Sequence, residues 1–331
     1  MNTASINPQK EDILAILAQN LGYRGSVFPL PNWYLTSWAK GLGLPRGGKT
    51  ILYTGHMYQL LPVMEVLHQQ RETLSLELLS KLVRMARLVN PFLNTSTLSL
   101  VRVGLESRLK YEKCLKDIVS LLRLAGIEPG YLYEAEKYAG ALAYDLGLDG
   151  PFERHVHRVV RRLQRYGVET IITVDPHTTH VLRHVYPQIV KFDFQVSSYL
   201  EVLAAALKDK DLLVIETGRD VVFHDSCVYA RYLNVTEQPR FLLKKAGYQI
   251  WEPQYSYEAT YCCGGPLETL FPEKAREIAK LRVEQLQKTG GHTIVTTCPI
   301  CLLNLSLAGK ASGLKVVDIA QLLAQNIKSK D

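Results

Sequence analysis

The first two-thirds of this 331-residue chain is nearly free of cysteine, with Cys114 the only one before Cys227. Residues 1–50 contain none, so no Cys-x-x-Cys-x-x-Cys ferredoxin region is present there. Long apolar runs are also missing. The longest uncharged stretch of the hydrophobic middle, between Arg87 and Arg102, is broken by Pro91 and by several Asn, Ser and Thr, too polar to span a bilayer. The opening MNTASINPQKEDILAILAQN is polar and then amphipathic, with no apolar core of a signal peptide, so a cytoplasmic location is expected. A reducing compartment disfavours disulfides and makes metal binding or catalysis the better reading of the thiols. The net charge of +7 is modest and no Lys/Arg-rich tract or RNP-type stacking motif occurs, which argues against a nucleic-acid partner.

What is present is an internal echo. Thr170-Ile-Ile-Thr-Val-Asp-Pro-His-Thr parallels Thr293-Ile-Val-Thr-Thr-Cys-Pro-Ile-Cys, and Ile51-Leu-Tyr-Thr-Gly-His parallels Val222-Phe-His-Asp-Ser-Cys. Each apolar run ends at a turn, and an amphipathic helix precedes the later strand. We read an α/β protein of two Rossmann-like βα half-domains from a diverged internal duplication, with functional residues at the carboxyl ends of parallel strands. The boundaries are an N-terminal extension over 1–50, a first half over 51–205 and a second half over 206–331. A helical insertion near 63–128 interrupts the first half, with helices expected around Leu74–Ala86 and Ser99–Leu124. Packing over the domain is its default role, and a subunit or membrane-surface contact its functional one. The helix over 151–166 is marked by the stripe Val156, Val159, Val160 and Leu163, with five arginines around the remainder and Gly167 closing it.

Five cysteines then crowd the last third: Cys227, the vicinal pair Cys262 and Cys263, and Cys298 with Cys301, in the words HDSC, YCCGG and CPIC. Thiolates from three loops suit a soft metal. Vicinal cysteines rarely both close on one tetrahedral zinc, but they readily reach two irons of a cluster. Iron–sulfur therefore precedes zinc, which stays the alternative. Gly264 and Gly265 permit unusual dihedrals and close approach. Pro299 should make CPIC a turn at the end of a strand over 293–297, with a helix from Leu302 and its N-terminal dipole near Cys301.

The spacing of these words resembles the CCG cysteine-rich domain of heterodisulfide reductase and its relatives, which include iron–sulfur subunits of glycolate, lactate and glycerol-3-phosphate dehydrogenases. The likeness is to the CCG-bearing subunit of that reductase, and it covers roughly residues 33–325, counting the segment that starts at Trp38. It implies one [4Fe–4S]-type centre per chain, of the noncubane kind, held by Cys227, Cys262, Cys263, Cys298 and Cys301. It also implies redox chemistry on a thiol or disulfide substrate or carrier. The implied partners are a ferredoxin-like protein resembling the small iron–sulfur subunit of heterodisulfide reductase and, further, a flavoprotein subunit. His224 and Asp225 would support a ligand or supply a proton. The family usually carries the motif twice, and here the first copy has lost it: His56 stands at the first ligand position, Tyr138 and Ala139 replace the vicinal pair, and Asp175 and Thr178 replace Cys-x-x-Cys. A second cluster is not expected. His56, Tyr138, Asp175 and His177 are candidates to line a pocket, and His56, Asp175, His177 and His180 an alternative harder-metal site. Two rival functions remain, an electron-relay subunit of a flavin-linked dehydrogenase of lactate or glycolate type and a zinc-holding assembly module.

Overall fold

A computed structural model describes residues 8–330. Residues 1–7 of the expected extension, and residue 331, lie outside the described residues. Two four-stranded sheets dominate, each wholly parallel. The first contains β1 (Thr50–Tyr53), β2 (Gly130–Tyr131), β3 (Thr170–Thr173) and β4 (Gln195–Ser198) in the order β2-β1-β3-β4. After β5 (Leu212–Val214) the second sheet begins, with β6 (Arg219–His224), β7 (Tyr248–Trp251), β8 (Thr293–Thr296) and β9 (Lys315–Asp318) in the order β7-β6-β8-β9. The two orders are the same when each sheet is numbered from its own first strand. β10 (Ile327–Ser329) pairs antiparallel with β5, a two-stranded addition that the sequence pattern did not announce. Ile51, Leu52, Ile171, Ile172, Val222, Ile294 and Val295 are buried, as parallel strands covered on both faces require.

Equivalent turns recur in both halves. The tripeptide Tyr-Glu-Ala occurs at 133–135 and at 257–259, each as a short 3-10 turn whose tyrosine has positive φ, 52° and 55°. Five residues past the tyrosine in one half lies Tyr138 and in the other Cys262, and each following pair ends in a left-handed glycine, Gly140 or Gly264. At Gly264 a Cβ would sit 2.5 Å from the Ala275 carbonyl oxygen, so glycine is required there. Proline occupies the first helical position after β3 (Pro176) and after β8 (Pro299), where a missing N–H costs nothing.

The halves are joined by reciprocal hydrogen bonds. Tyr58 of the first half donates to Asp318 Oδ2 at 2.6 Å, at the cap that follows β9. Tyr229 of the second half meets Ser198 Oγ at 2.8 Å, at the cap that follows β4.

The insertion forms helix Leu76–Val89, a 3-10 turn Thr95–Arg102 and helix Leu105–Leu124. The second expected helix is thus shorter at its start, because Val103 is extended and Gly104 is the N-cap of the helix itself. Cys114 is buried in that helix and donates weakly to the Lys110 carbonyl. Helix Pro8–Arg24 packs on the first insertion helix and on helix Asp149–Arg165. Among the described residues no helix is long and apolar enough to cross a membrane.

Candidate metal centre

The five thiols converge from the three loops that follow β6, β7 and β8. Cys227 opens the helical turn after β6, three residues beyond His224, the last strand residue. Cys298 is the extended N-cap residue of helix Pro299–Gly309, and Leu302 N–H bonds back to its carbonyl at 2.9 Å. The helix begins at Pro299 rather than Leu302, because proline at the first position is favoured. Both CPIC sulfurs therefore belong to one N-terminal turn, whose dipole favours thiolate. The vicinal pair is fixed from behind by Asn304, whose amide donates to the Cys263 carbonyl at 3.2 Å. Gly264 N–H points at Cys262 Sγ, 3.3 Å away.

The sulfurs form a connected chain. Cys227 lies 3.9 Å from Cys262. Cys262 then interacts with Cys263, Cys263 with Cys301, and Cys301 with Cys298. Cys298 in turn hydrogen-bonds His177 from the first half, and His177 Nδ1 lies 3.2 Å from Asp145 Oδ2. Among the described residues no three such side chains are disposed to close on a single ion. Thiol and imidazole charges follow this chain. The hydrogen bonds from Cys227 and Cys263 pull Cys262 towards thiolate. Burial opposes ionisation of Cys298, but bonds from Cys301 and His177 outweigh it and hold the thiol well below its usual range. The Cys262 bond, with burial, raises Cys227 and Cys263, and the bonds to Cys263 and Cys298 raise Cys301. Burial likewise opposes a charge on His177, yet Asp145 and Cys298 together hold it well above the usual imidazole value.

His224 is fully buried, and burial together with nearby Arg282 lowers it to about 3, so it is neutral. Its Nδ1 accepts from Arg282 Nε at 3.1 Å, which leaves the proton on Nε2. That Nε2 has no partner among the described residues, while Cys262 is near enough to act on the ring electrostatically. An unanswered buried N–H beside a thiolate set is what a sulfur-rich group would satisfy. The donor set and this orphan atom fit an iron–sulfur cluster.

Asp225 is otherwise engaged. Its carboxylate is gripped by both terminal nitrogens of Arg240 at 2.8 Å, in a pair where each side chain is only 2% exposed, and it also accepts from Tyr257 N–H. Its carbonyl accepts from Thr260 Oγ1 at 3.1 Å, tying the loop of Cys227 to the loop of the vicinal pair.

Next to the thiol loops a cleft of about 470 Å³, open to solvent, runs between the halves, and none of the five cysteines lines it. Tyr138, Asp145 and His177 face it from the first half, and Gly265, Pro266 and Ile300 from the second. His56 and Asp175 are not among its lining residues. His56 is buried near Lys137 and His155 with its ring lowered to about 3, chiefly by burial. Asp175 caps its helix through Thr178 N–H at 2.9 Å, and burial raises its carboxyl to about 6, with Cys298 contributing. The His180 ring lies tilted against Tyr232, centroids 5.0 Å apart, instead of joining the thiols. Sequence reasoning missed Asp145, Arg240 and Arg282. Arg282 was detectable, since it falls in the buried stripe Ala275, Ala279, Val283 and Leu286, where a charge needs a reason.

Residues 221–306 match the family profile of the CCG cysteine-rich domain, and all five clustered thiols lie inside that span. The chain carries a CCG domain. Over 228 residues it is 32% identical to the EtfAB:quinone oxidoreductase of Syntrophomonas wolfei, which covers 65% of this chain and 32% of that protein. It is 28% identical to a subunit of the dihydromethanophenazine:CoB–CoM heterodisulfide reductase of Methanosarcina acetivorans, over 62% of this chain and 53% of that one. With Lactate utilization protein A 2 of Bacillus cereus the identity is 23%, over 64% of this chain and 91% of that protein. The chain thus spans about a third of the first relative and about half of the second. Among solved structures, an aspartate racemase homologue from Pyrococcus horikoshii covers 84% of this chain and is covered to 96%, at 14% identity and a TM-score of 0.27, too loose to bear on function.

Proposed function

We propose that this CCG-domain protein is the cluster-bearing subunit of a heterodisulfide-reductase-like complex, acting on a thiol or disulfide sulfur. Cys227, Cys262, Cys263, Cys298 and Cys301 would hold one [4Fe–4S]-type centre of the noncubane kind, which supplies electron transfer to and from the sulfur substrate. The observation that carries this reading is the connected run of five sulfurs with the unpartnered His224 Nε2 beside it. Similarity to a heterodisulfide reductase subunit supports it.

The protein's own groups divide the remaining work. His224 Nε2–H would donate to the sulfur set, and Arg282 fixes the tautomer that makes this so. Asp225 is a positioning residue: clasped by Arg240, it sets the turn that presents Cys227. His177, oriented by Asp145, would hold a proton at the cleft wall within reach of a thiolate leaving the substrate. Tyr138 and His177 shape the cleft, while His56 and Asp175 stand behind it.

The domain boundaries 1–50, 51–205 and 206–331, and a duplication that produced the halves, belong to the same proposal. The common strand order, the repeated Tyr-Glu-Ala turn and the reciprocal tyrosine bonds support it. A ferredoxin-like iron–sulfur subunit and a flavoprotein would be the electron partners, and the cytoplasm the location.

Likeness to a lactate utilization protein along nearly its whole length favours one second reading, an electron relay that never touches substrate. Electron paramagnetic resonance of the anaerobically prepared protein, with and without added thiols and disulfides, separates the two. A signal that changes on adding thiol supports sulfur chemistry at the cluster. An unchanged signal leaves the relay and rejects the lead.

A further inference from the structure

The inserted segment has a second apolar face that no described part of the chain covers. On helix Leu76–Val89 the half-buried Leu79, Val83 and Ala86 lie on the side that packs against helix Pro8–Arg24. That face satisfies the ordinary requirement of an amphipathic helix. Leu78, Leu82, Met85 and Val89 form a separate exposed row. The row continues into the turn, where Phe92 is 92% exposed, and on to Val101, which is 86% exposed. Soluble monomers rarely leave so continuous an apolar surface in water.

Charge identifies the occupant. Residues 74–110 carry six basic side chains against Glu77 and Glu106. Arg84 and Arg102 are exposed beside the apolar row, and neither has an ion-pair partner among the described residues. A second copy of this chain would bring that basic rim against itself, which like-charge repulsion disfavours. A projecting phenylalanine and valine rimmed by arginine match a surface that yields around them and carries negative charge. We propose that helix Leu76–Val89 and the turn after it seat the protein on an anionic lipid bilayer, lying in the interface without crossing it.

The test is flotation of the full chain with vesicles of equal phosphatidylglycerol and phosphatidylcholine, and with phosphatidylcholine alone. The protein is expected to float with the anionic vesicles and to be released by high salt. Arg84→Ser with Arg102→Ser should weaken this partitioning roughly thirtyfold at low salt, and Phe92→Asp should abolish it. All three positions are exposed, so circular dichroism and thermal unfolding should match the parent chain. A parent chain that stays unbound with anionic vesicles overturns the proposal. So does an arginine variant that floats as well as the parent, or a parent dimer that Phe92→Asp converts to monomer.

Discussion

The two sheets carry corresponding turns with different side chains. At the turn after β6 stands Cys227, and at the turn after β1 stands His56. Cys298 precedes Pro299 after β8, while Asp175 precedes Pro176 after β3. The Tyr-Glu-Ala turn, the left-handed glycine at 140 or 264 and the helix-opening proline recur in both halves, although one half carries five clustered thiols and the other only the unrelated Cys114. Backbone demands of the βα turn are therefore separable from the chemistry mounted on it. The half without the thiol cluster is also not idle. Its Asp145 and His177 end the chain of contacts that begins at Cys227. It serves as a wall and hydrogen-bond donor to its neighbour's sulfurs.

The largest effect should come from swapping ligands between equivalent positions. Cys298→Ser should take iron from about four atoms per chain to background, while Asp175→Ser should leave iron unchanged. Iron loss in both would erase the functional difference between the halves.

Support of the turns differs too. In the second half Asp225 relies on buried Arg240. In the first half Glu136 accepts directly from Thr54 and Gly55 N–H at 2.6 and 2.8 Å. Arg240→Met strands a buried carboxylate and should cost about 3–5 kcal/mol in urea unfolding. A cost below about 1 kcal/mol would show that the pair does not hold the turn.

His177→Ala removes the contact across the halves. Cluster loss to a chelator should accelerate by about 10- to 100-fold, with His177→Gln recovering part of the loss. Unchanged retention would mean that the first half does not touch the cluster's surroundings.

The smallest effect is in pH dependence. Burial raises Glu136 from its usual 4.5 to about 7, so the native carboxyl holds its proton more tightly than the unfolded one. Stability contributed by this group is present below the unfolded value and falls as pH rises through the folded one. The fall should reach about 1–3 kcal/mol between roughly pH 5 and pH 8, and Glu136→Gln should flatten it in denaturant titrations. An unflattened curve would assign the slope elsewhere.

Much of this was legible in the sequence because it rests on local chemistry. The stripe Val156, Val159, Val160 and Leu163 marks a helix, and vicinal cysteines followed by two glycines mark a tight thiol turn. Other features depend on partners distant in sequence. No pattern near Asp145 reveals that it meets His177, and none at Arg240 reveals Asp225. β2 has two residues, too few for a period, and β5 finds its partner β10 more than a hundred residues on. The repeated Tyr-Glu-Ala was readable, but a short polar turn carries less signal than an apolar strand. The break before Gly104 follows from a glycine inside an otherwise helical pattern, which lowers helix stability by about 1 kcal/mol.

The central claim is one cluster in the second half and none in the first. Anaerobic purification followed by iron, acid-labile sulfide and zinc quantification tests it most directly. About four irons with matching sulfide and no zinc are expected. One zinc per chain without sulfide would contradict it, as would iron for two clusters.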